Sequence, residues 1–267
     1  MGNLQNIHSF KTLSFEISEL LNYGMIEWAI CKTFTHSKLT HSKLYTNMKK
    51  TWWKILGSVL VVYTAIAGML LGVPHLAILN ETIRNLYFHV PMWFAMIVLF
   101  SISVFYSVKS LSSKSEIDDL RAVESVNAGI IFGVLGLITG AIWAKYTWGQ
   151  FWSFDPKQNF AAISILLYFA YLILRNAIDE EQKRAKLSAI YNIFAFPMMV
   201  VLLFVLPRLK DSLHPGNGGN PGFNSYDLDS RMRMVFYPAC LGWILIGYWV
   251  YSIRFRIRSL ENKKQHN

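Results

Sequence analysis

Charge is what this sequence has least of. Only 16% of its residues are Asp, Glu, Lys or Arg, against 53% hydrophobic, whereas a soluble domain carries about a quarter charged residues. Long apolar runs account for the deficit, which excludes an ordinary soluble domain of this size. Cysteine is scarcer still. Cys31 and Cys240 are the only two, and neither belongs to a CxxC or CxxCH. Covalent haem attachment through that motif, a structural zinc site and a thioredoxin-like dithiol are therefore excluded. A disulfide is not expected, since Cys31 precedes the first span and Cys240 falls inside the last. No P-loop is present, so the chain is not an ATPase. No nucleophile–base pair is evident.

The formal charge of +10 does not imply nucleic acid, because in a membrane protein Lys and Arg concentrate on the cytoplasmic side. Six apolar runs approach the roughly 20 residues that a bilayer core requires: 53–73, 90–108, 126–146, 159–174, 188–206 and 234–253. The expected fold is all-α, a polytopic membrane bundle of six transmembrane helices. The third run carries Gly129, Gly133, Gly136 and Gly140, small residues at the steps that let a neighbouring helix pack closely. Pro197 in the fifth run predicts a kink.

Residues 1–47 differ from the rest. Glu16, Glu19 and Glu27 interrupt their one weakly apolar stretch, and Thr40–Leu44 repeats Thr35–Leu39. The repeated His36 and His41 lack a cluster that would make them metal ligands. Met48-Lys49-Lys50 directly before the first span reads as a natural start. The expected organisation is an N-terminal extension over 1–47, disordered or belonging to the gene model alone, a membrane domain over 48–258 and a cytoplasmic tail over 259–267.

Counting Lys and Arg between spans gives 7, 3, 4 and 5 on the side of the termini, and 1, 2 and 4 on the other. Both termini are therefore expected in the cytoplasm of a bacterial inner membrane. His8, His36, His41 and His266 then fall inside, and His75, His89 and His214 outside.

The outer side carries Trp148-Gly149-Gln150-Phe151-Trp152-Ser153-Phe154-Asp155-Pro156-Lys157-Gln158. An interfacial aromatic belt is one reading of it, but a belt would be spread over all the helix ends, and here the rings crowd into one connection. Asp155-Pro156 reads as an N-cap before Pro at the first helical position. His89 opens the second span, where an ionisable group is costly and usually functional. It is either a ligand or an interfacial anchor. His214 lies in a turn-rich segment that either connects or ligates, and His75 is the competing histidine.

These residues carry a resemblance. WGQFWSFDPKQ is similar to the Trp-rich WWD motif of the haem-handling proteins of cytochrome c maturation. Arg84–Pro91 (RNLYFHVP) and Ser212–Gly216 (SLHPG) flank it in the same order. Over roughly residues 50–258 the chain most resembles the haem exporter protein C (CcmC) type. Phe154 stands where that family usually has a third Trp, and Asp155-Pro156-Lys157 looks more like the CcsA-type synthetases.

The resemblance implies non-covalent haem b at the outer face, with His89 and His214 as axial iron ligands. It places Trp148, Gly149, Trp152, Phe154 and Asp155 at the haem, Asp155 ordering the loop by capping. Arg84 and Lys157 are either propionate partners or solvated charges. The implied partners are a periplasmic haem chaperone of the CcmE type, an ABC-type CcmA–CcmB complex and a small CcmD-type membrane subunit, with no nucleic acid. The implied role is haem delivery and not catalysis. The alternative is a CcsA-type synthetase subunit, which would carry a second histidine pair within the membrane, and none of the six runs contains a histidine. A transmembrane b-type cytochrome would need histidines at matched depths in facing helices.

Two outcomes test this organisation. A phosphatase fused to the carboxyl end should be inactive in the periplasm, and activity there would invert the topology. Expression from Met48 should give normal membrane insertion and haem content, and loss of either would assign residues 1–47 a role.

Overall fold

A computed structural model describes residues 51–75, 79–214 and 228–265, so the duplicated histidine segment and the remainder of 1–47 lie outside the described residues. The chain divides after Trp52, and the bundle is the second unit, Trp53–Asn267. All described regular structure is helical. Six helices are long and apolar enough to cross a membrane: α1 (Thr51–Leu70), α2 (Leu86–Ser113), α3 (Glu116–Trp148), α4 (Pro156–Asn176), α5 (Glu181–Val200) and α6 (Ser230–Gln265). They coincide with the six apolar runs, and α3 begins ten residues before its run. Apolar runs report the lipid-embedded part, whereas backbone hydrogen bonding continues into the polar layers until a cap ends it.

The caps are legible. Ser115 Oγ accepts from Asp118 N at the start of α3, and Glu116, Asp118 and Asp119 put negative charge on its first turn, which complements the helix dipole. Gly149 ends α3 in the left-handed conformation at φ 84°, its N–H donating to Lys145 O. Asp155 caps α4, with Pro156 in the first turn. α5 passes Pro197 and loses α geometry just beyond it, becoming a π turn over Val201–Val205 and a 3-10 turn over Leu206–Leu209.

Packing rests on small residues. A Cβ on Gly140 would lie 2.6 Å from His89 Cε1, and one on Gly136 would lie 2.9 Å from Trp93 Cε2. Gly133 faces Met96 and Ile165, and Gly129 faces Phe100. Residues 89, 93, 96 and 100 form one stripe of α2, so each large side chain drops onto one glycine of α3. Phe100 in turn stacks on Tyr168 of α4, centroids 3.5 Å apart. On the other flank, a Cβ on Gly242 of α6 would meet Leu60 Cβ at 3.0 Å and Val61 N at 3.2 Å. Van der Waals contact of this kind holds membrane helices together where lipid leaves no hydrophobic drive between them.

Ion pairs gather at the end of the bundle where α2 stops and α3 begins. Arg175 of α4 grips Asp119 through two bonds, 2.9 and 2.5 Å. Arg254 of α6 donates to Glu124 at 2.9 Å, and Lys109 pairs with Asp118 at 3.2 Å. Between them Asn192 of α5 donates to Ser103 and Ser107 of α2. Replacing Gly242 by Val should push α1 off α6 and destabilise the bundle by about 1–3 kcal/mol, the usual cost of overpacking. Leu241, 47% exposed, changed to Val is the control. Equal thermal unfolding midpoints in detergent would disprove the close contact.

Candidate functional site: two histidines and an aromatic connection

The opposite end collects the residues singled out above. His89 sits on the first turn of α2, which begins at Leu86, so it lies inside the helix and not ahead of it. Its ring faces Gly140 and is met edge-on by Trp93 and Trp143, centroids 6.2 and 5.8 Å away. Nδ1 lies 3.0 Å from Gly136 O and 3.3 Å from Thr139 Oγ1. A carbonyl only accepts, so Nδ1 carries the proton and Nε2 keeps its lone pair.

The turn before α2 is stitched to α3 at the same level. Asn85 donates to Thr139 O at 3.1 Å, and the Trp143 indole donates to Thr82 Oγ1 at 3.2 Å. Arg84 turns the other way. Its guanidinium donates to Gly68 O and Leu71 O at 2.7 and 2.6 Å and pairs with Glu81 at 2.7 Å, so it closes the carbonyl end of α1. Arg84 is thus neither a bare solvated charge nor an uncommitted anion partner. His75 is exposed in the connection after α1.

His214 comes from the segment following the 3-10 turn, and Asp155 meets it. His214 Nδ1 lies 2.8 Å from Asp155 Oδ1, Leu213 N donates to Oδ2 at 2.6 Å, and Ser212 Oγ donates to Oδ1 at 2.9 Å. The same carboxylate accepts Lys157 N at 2.9 Å as the α4 cap. Burial by itself pushes the Asp155 carboxyl up. The hydrogen bond and charge of His214, the Leu213 N–H and the Ser212 hydroxyl outweigh that and hold it well below the usual carboxylate range. The carboxylate is therefore ionised throughout the physiological range, and what it contributes to stability is lost only on acidification below about pH 4. In the tautomer with Nδ1–H on the carboxylate, His214 Nε2 keeps its lone pair.

The aromatic connection lies beside them. Trp148, the last residue of α3, meets His214 edge-on at 4.7 Å. Trp152 donates to Asn159 Oδ1 at 3.1 Å. Asn159 Nδ2 donates to Phe154 O at 2.8 Å, which steadies Phe154 at φ 57°, a left-handed conformation that costs a non-glycine residue about 1–2 kcal/mol. Gln158, buried beneath, accepts from both Ser153 N and Ser153 Oγ at 3.0 Å. Phe154 is 77% exposed and Phe151 57%. The loop interior is polar and satisfied, and its aromatic faces are turned outward. An exposed apolar shelf of that kind marks a binding surface or a membrane-facing one.

Trp148 and Asp155 therefore both contact His214, while His89 is flanked by Trp93 and Trp143. Those two tryptophans and the Asp155–His214 bond were not foreseen from the sequence, and Gly140 was foreseen as a close-packing residue but not as the seat of His89. Trp93 had a signal, being one helical turn after His89 on the same face. The Asp155–His214 bond had none, since 59 residues separate the partners. Among the described residues no group of three His, Cys, Asp or Glu side chains could hold a bare metal ion. Imidazoles flanked by aromatic rings are of the residue types that suit a planar macrocycle carrying its own metal.

Comparison with known proteins agrees in kind. The family model for CcmC, "Heme exporter protein C", matches residues 34–267. A heme exporter protein C of Rhodobacter capsulatus is 24% identical over 165 residues, 62% of this chain and 68% of the relative. That of Bradyrhizobium diazoefficiens is 26% identical over 188 residues, 68% and 71%. A cytochrome c biogenesis protein CcsA of Prochlorococcus marinus is 41% identical over 100 residues, 36% of this chain. The chain spans only 32% of that CcsA's length.

Gln158 tests the built character of the loop. Changing it to Ala orphans Ser153 N and should cost about 1–2 kcal/mol locally, read as faster chymotryptic cleavage at Phe151 and Trp152. An unchanged cleavage rate would show that other contacts hold the loop.

Proposed function

Because this chain belongs to the haem exporter protein C family, we propose that its histidine end holds haem and hands it on during cytochrome c maturation. One observation carries the reading: both His89 and His214 have Nδ1 engaged by an acceptor, which leaves two Nε2 atoms to grip one iron. Haem is the cargo, held non-covalently as haem b. Bis-imidazole ligation keeps iron low-spin, suited to carriage and not to oxygen activation. Trp148 and Trp152 supply apolar surface for the ring, Gly149 lets the chain turn at the rim, and Phe154 extends the shelf. The charge asymmetry of the loops supports a multi-pass inner-membrane protein with both termini cytoplasmic and the site at the periplasmic face. The recipient is a periplasmic chaperone of the CcmE type, the CcmA–CcmB complex and a CcmD-type subunit being the accompanying membrane components. The role is delivery and not catalysis.

A CcsA-type synthetase activity is the second reading, favoured by the 41% identity to CcsA over 100 residues. Co-expression with an apocytochrome and no other maturation factor separates the two. Thioether-linked haem would establish the synthetase, and its absence supports delivery.

The purified protein should show a b-type absorbance spectrum with dithionite at about one haem per chain. His89→Ala and His214→Ala should each weaken haem retention, with added imidazole partly restoring the spectrum. If His75→Ala abolishes the spectrum while His214→Ala spares it, the ligand assignment is wrong. Trp148→Ala and Trp152→Ala should each cost on the order of 2 kcal/mol of haem binding. Trp249→Ala, on α6 beside Lys54 of α1, should cost none. Equal haem content in all three would reduce the aromatic segment to an interfacial anchor.

A further inference from the structure

The two histidines are held in unequal ways. His89 is fixed several times over: it sits within α2, its ring lies on Gly140, two tryptophans flank it, and its Nδ1 is bound to a backbone carbonyl of α3. No single side chain could be removed to free it. His214 belongs to no helix, and it and its two preceding neighbours each bond to one carboxylate. Asp155 takes the imidazole Nδ1–H, the Leu213 N–H and the Ser212 hydroxyl. Ser212 Oγ in turn accepts His214 N at 3.2 Å. Asp155 itself cannot give way, since its side chain is 1% exposed and caps α4.

Resting on the haem reading above, we propose that Asp155 is a positioning residue that latches the His214 segment shut, and that the His214 side is where haem enters and leaves. Asp155 need not touch the cargo. It holds His214 Nε2 where the iron binds and makes that imidazole the stronger electron donor of the pair, because a carboxylate withdraws the Nδ1 proton further than a carbonyl does. A recipient that draws His214 off Asp155 opens one face of the site, while His89, Trp93 and Trp143 keep the other. Asp155 also ends the aromatic connection, so the ligand and the platform beside it are held by the same atom pair.

The test compares Asp155→Asn with Asp179→Asn, the same change at an exposed carboxylate beyond the far end of α4. Asn caps a helix as well as Asp does, so α4 keeps its start. In the haem-loaded protein, Asp155→Asn should release haem to apomyoglobin about tenfold faster than the unaltered chain, the low end of what a lost outer partner costs a metal site. A high-spin fraction should appear that added imidazole removes. Asp179→Asn should change neither. Wild-type release and spectrum in Asp155→Asn, or equal acceleration in both variants, would overturn the latch.

A second readout needs no haem. Arg208 and Lys210 are exposed just before the latched segment, so trypsin should cut there several-fold faster in haem-free Asp155→Asn than in the unaltered chain. Unchanged cutting overturns the latch whatever the haem result. If cutting accelerates while the unaltered chain's spectrum is indifferent to both histidines, the latch stands and the haem reading fails. Should Asp155→Asn not accumulate, Ser212→Ala decides by the same cleavage assay: faster cutting supports the latch and an unchanged rate overturns it.

Discussion

The close approach of α2 to α3 is the constraint on which the rest of this molecule depends. Between helices in lipid there is no water to expel, so association comes from contact, and contact at this distance demands residues without a Cβ. The four glycines of α3 each receive one large side chain of α2. The last pair of that ladder is His89 on Gly140, so one packing rule that builds the membrane domain also sets the proposed iron ligand. Because the imidazole is pressed against α3, its Nδ1 finds the Gly136 carbonyl, a group already part of the helix. A buried ring nitrogen is satisfied without spending another side chain on it.

Polar groups elsewhere follow the cost of leaving them unpaired in a low-dielectric medium. At the end where α3 begins, Asp119, Glu124 and Asp118 each meet a cation from another helix or turn. At the histidine end one carboxylate, Asp155, is closed in by four donors. Such a group is strongly held as an anion, and removing one donor leaves the others more costly to keep. This is why a capping residue can double as the anchor of a segment 57–59 residues away.

The proposed cargo site thus has a rigid wall and a tethered one. The rigid wall is helical and aromatic, made by Trp93, Trp143 and His89. The tethered wall is the His214 segment with Trp148 beside it. The exposed rings of Phe151 and Phe154 continue the apolar surface outward, where a partner would meet it. A protein that must both hold a flat ligand and surrender it benefits from that division, since strain of opening falls on a loop and not on the bundle.

Much was legible in the chain itself, wherever cause and effect lie within a few residues. Apolar runs set the number of spans because the bilayer thickness sets their length. Asp155 before Pro156 announced the start of α4, and the glycines of the third run a close neighbour. The matching Trp and His motifs pointed to haem handling. Tertiary structure alone decided which partners those residues met. That Arg84 would close the carbonyl end of α1, that His89 would lie on Gly140, and that Asp155 would bind His214 depend on contacts 13 to 59 residues apart. No periodicity or capping rule spans such distances. Hydrogen-bonding groups without water must pair with whatever donor or acceptor the packed helices bring within reach, and only the assembled bundle specifies which those are.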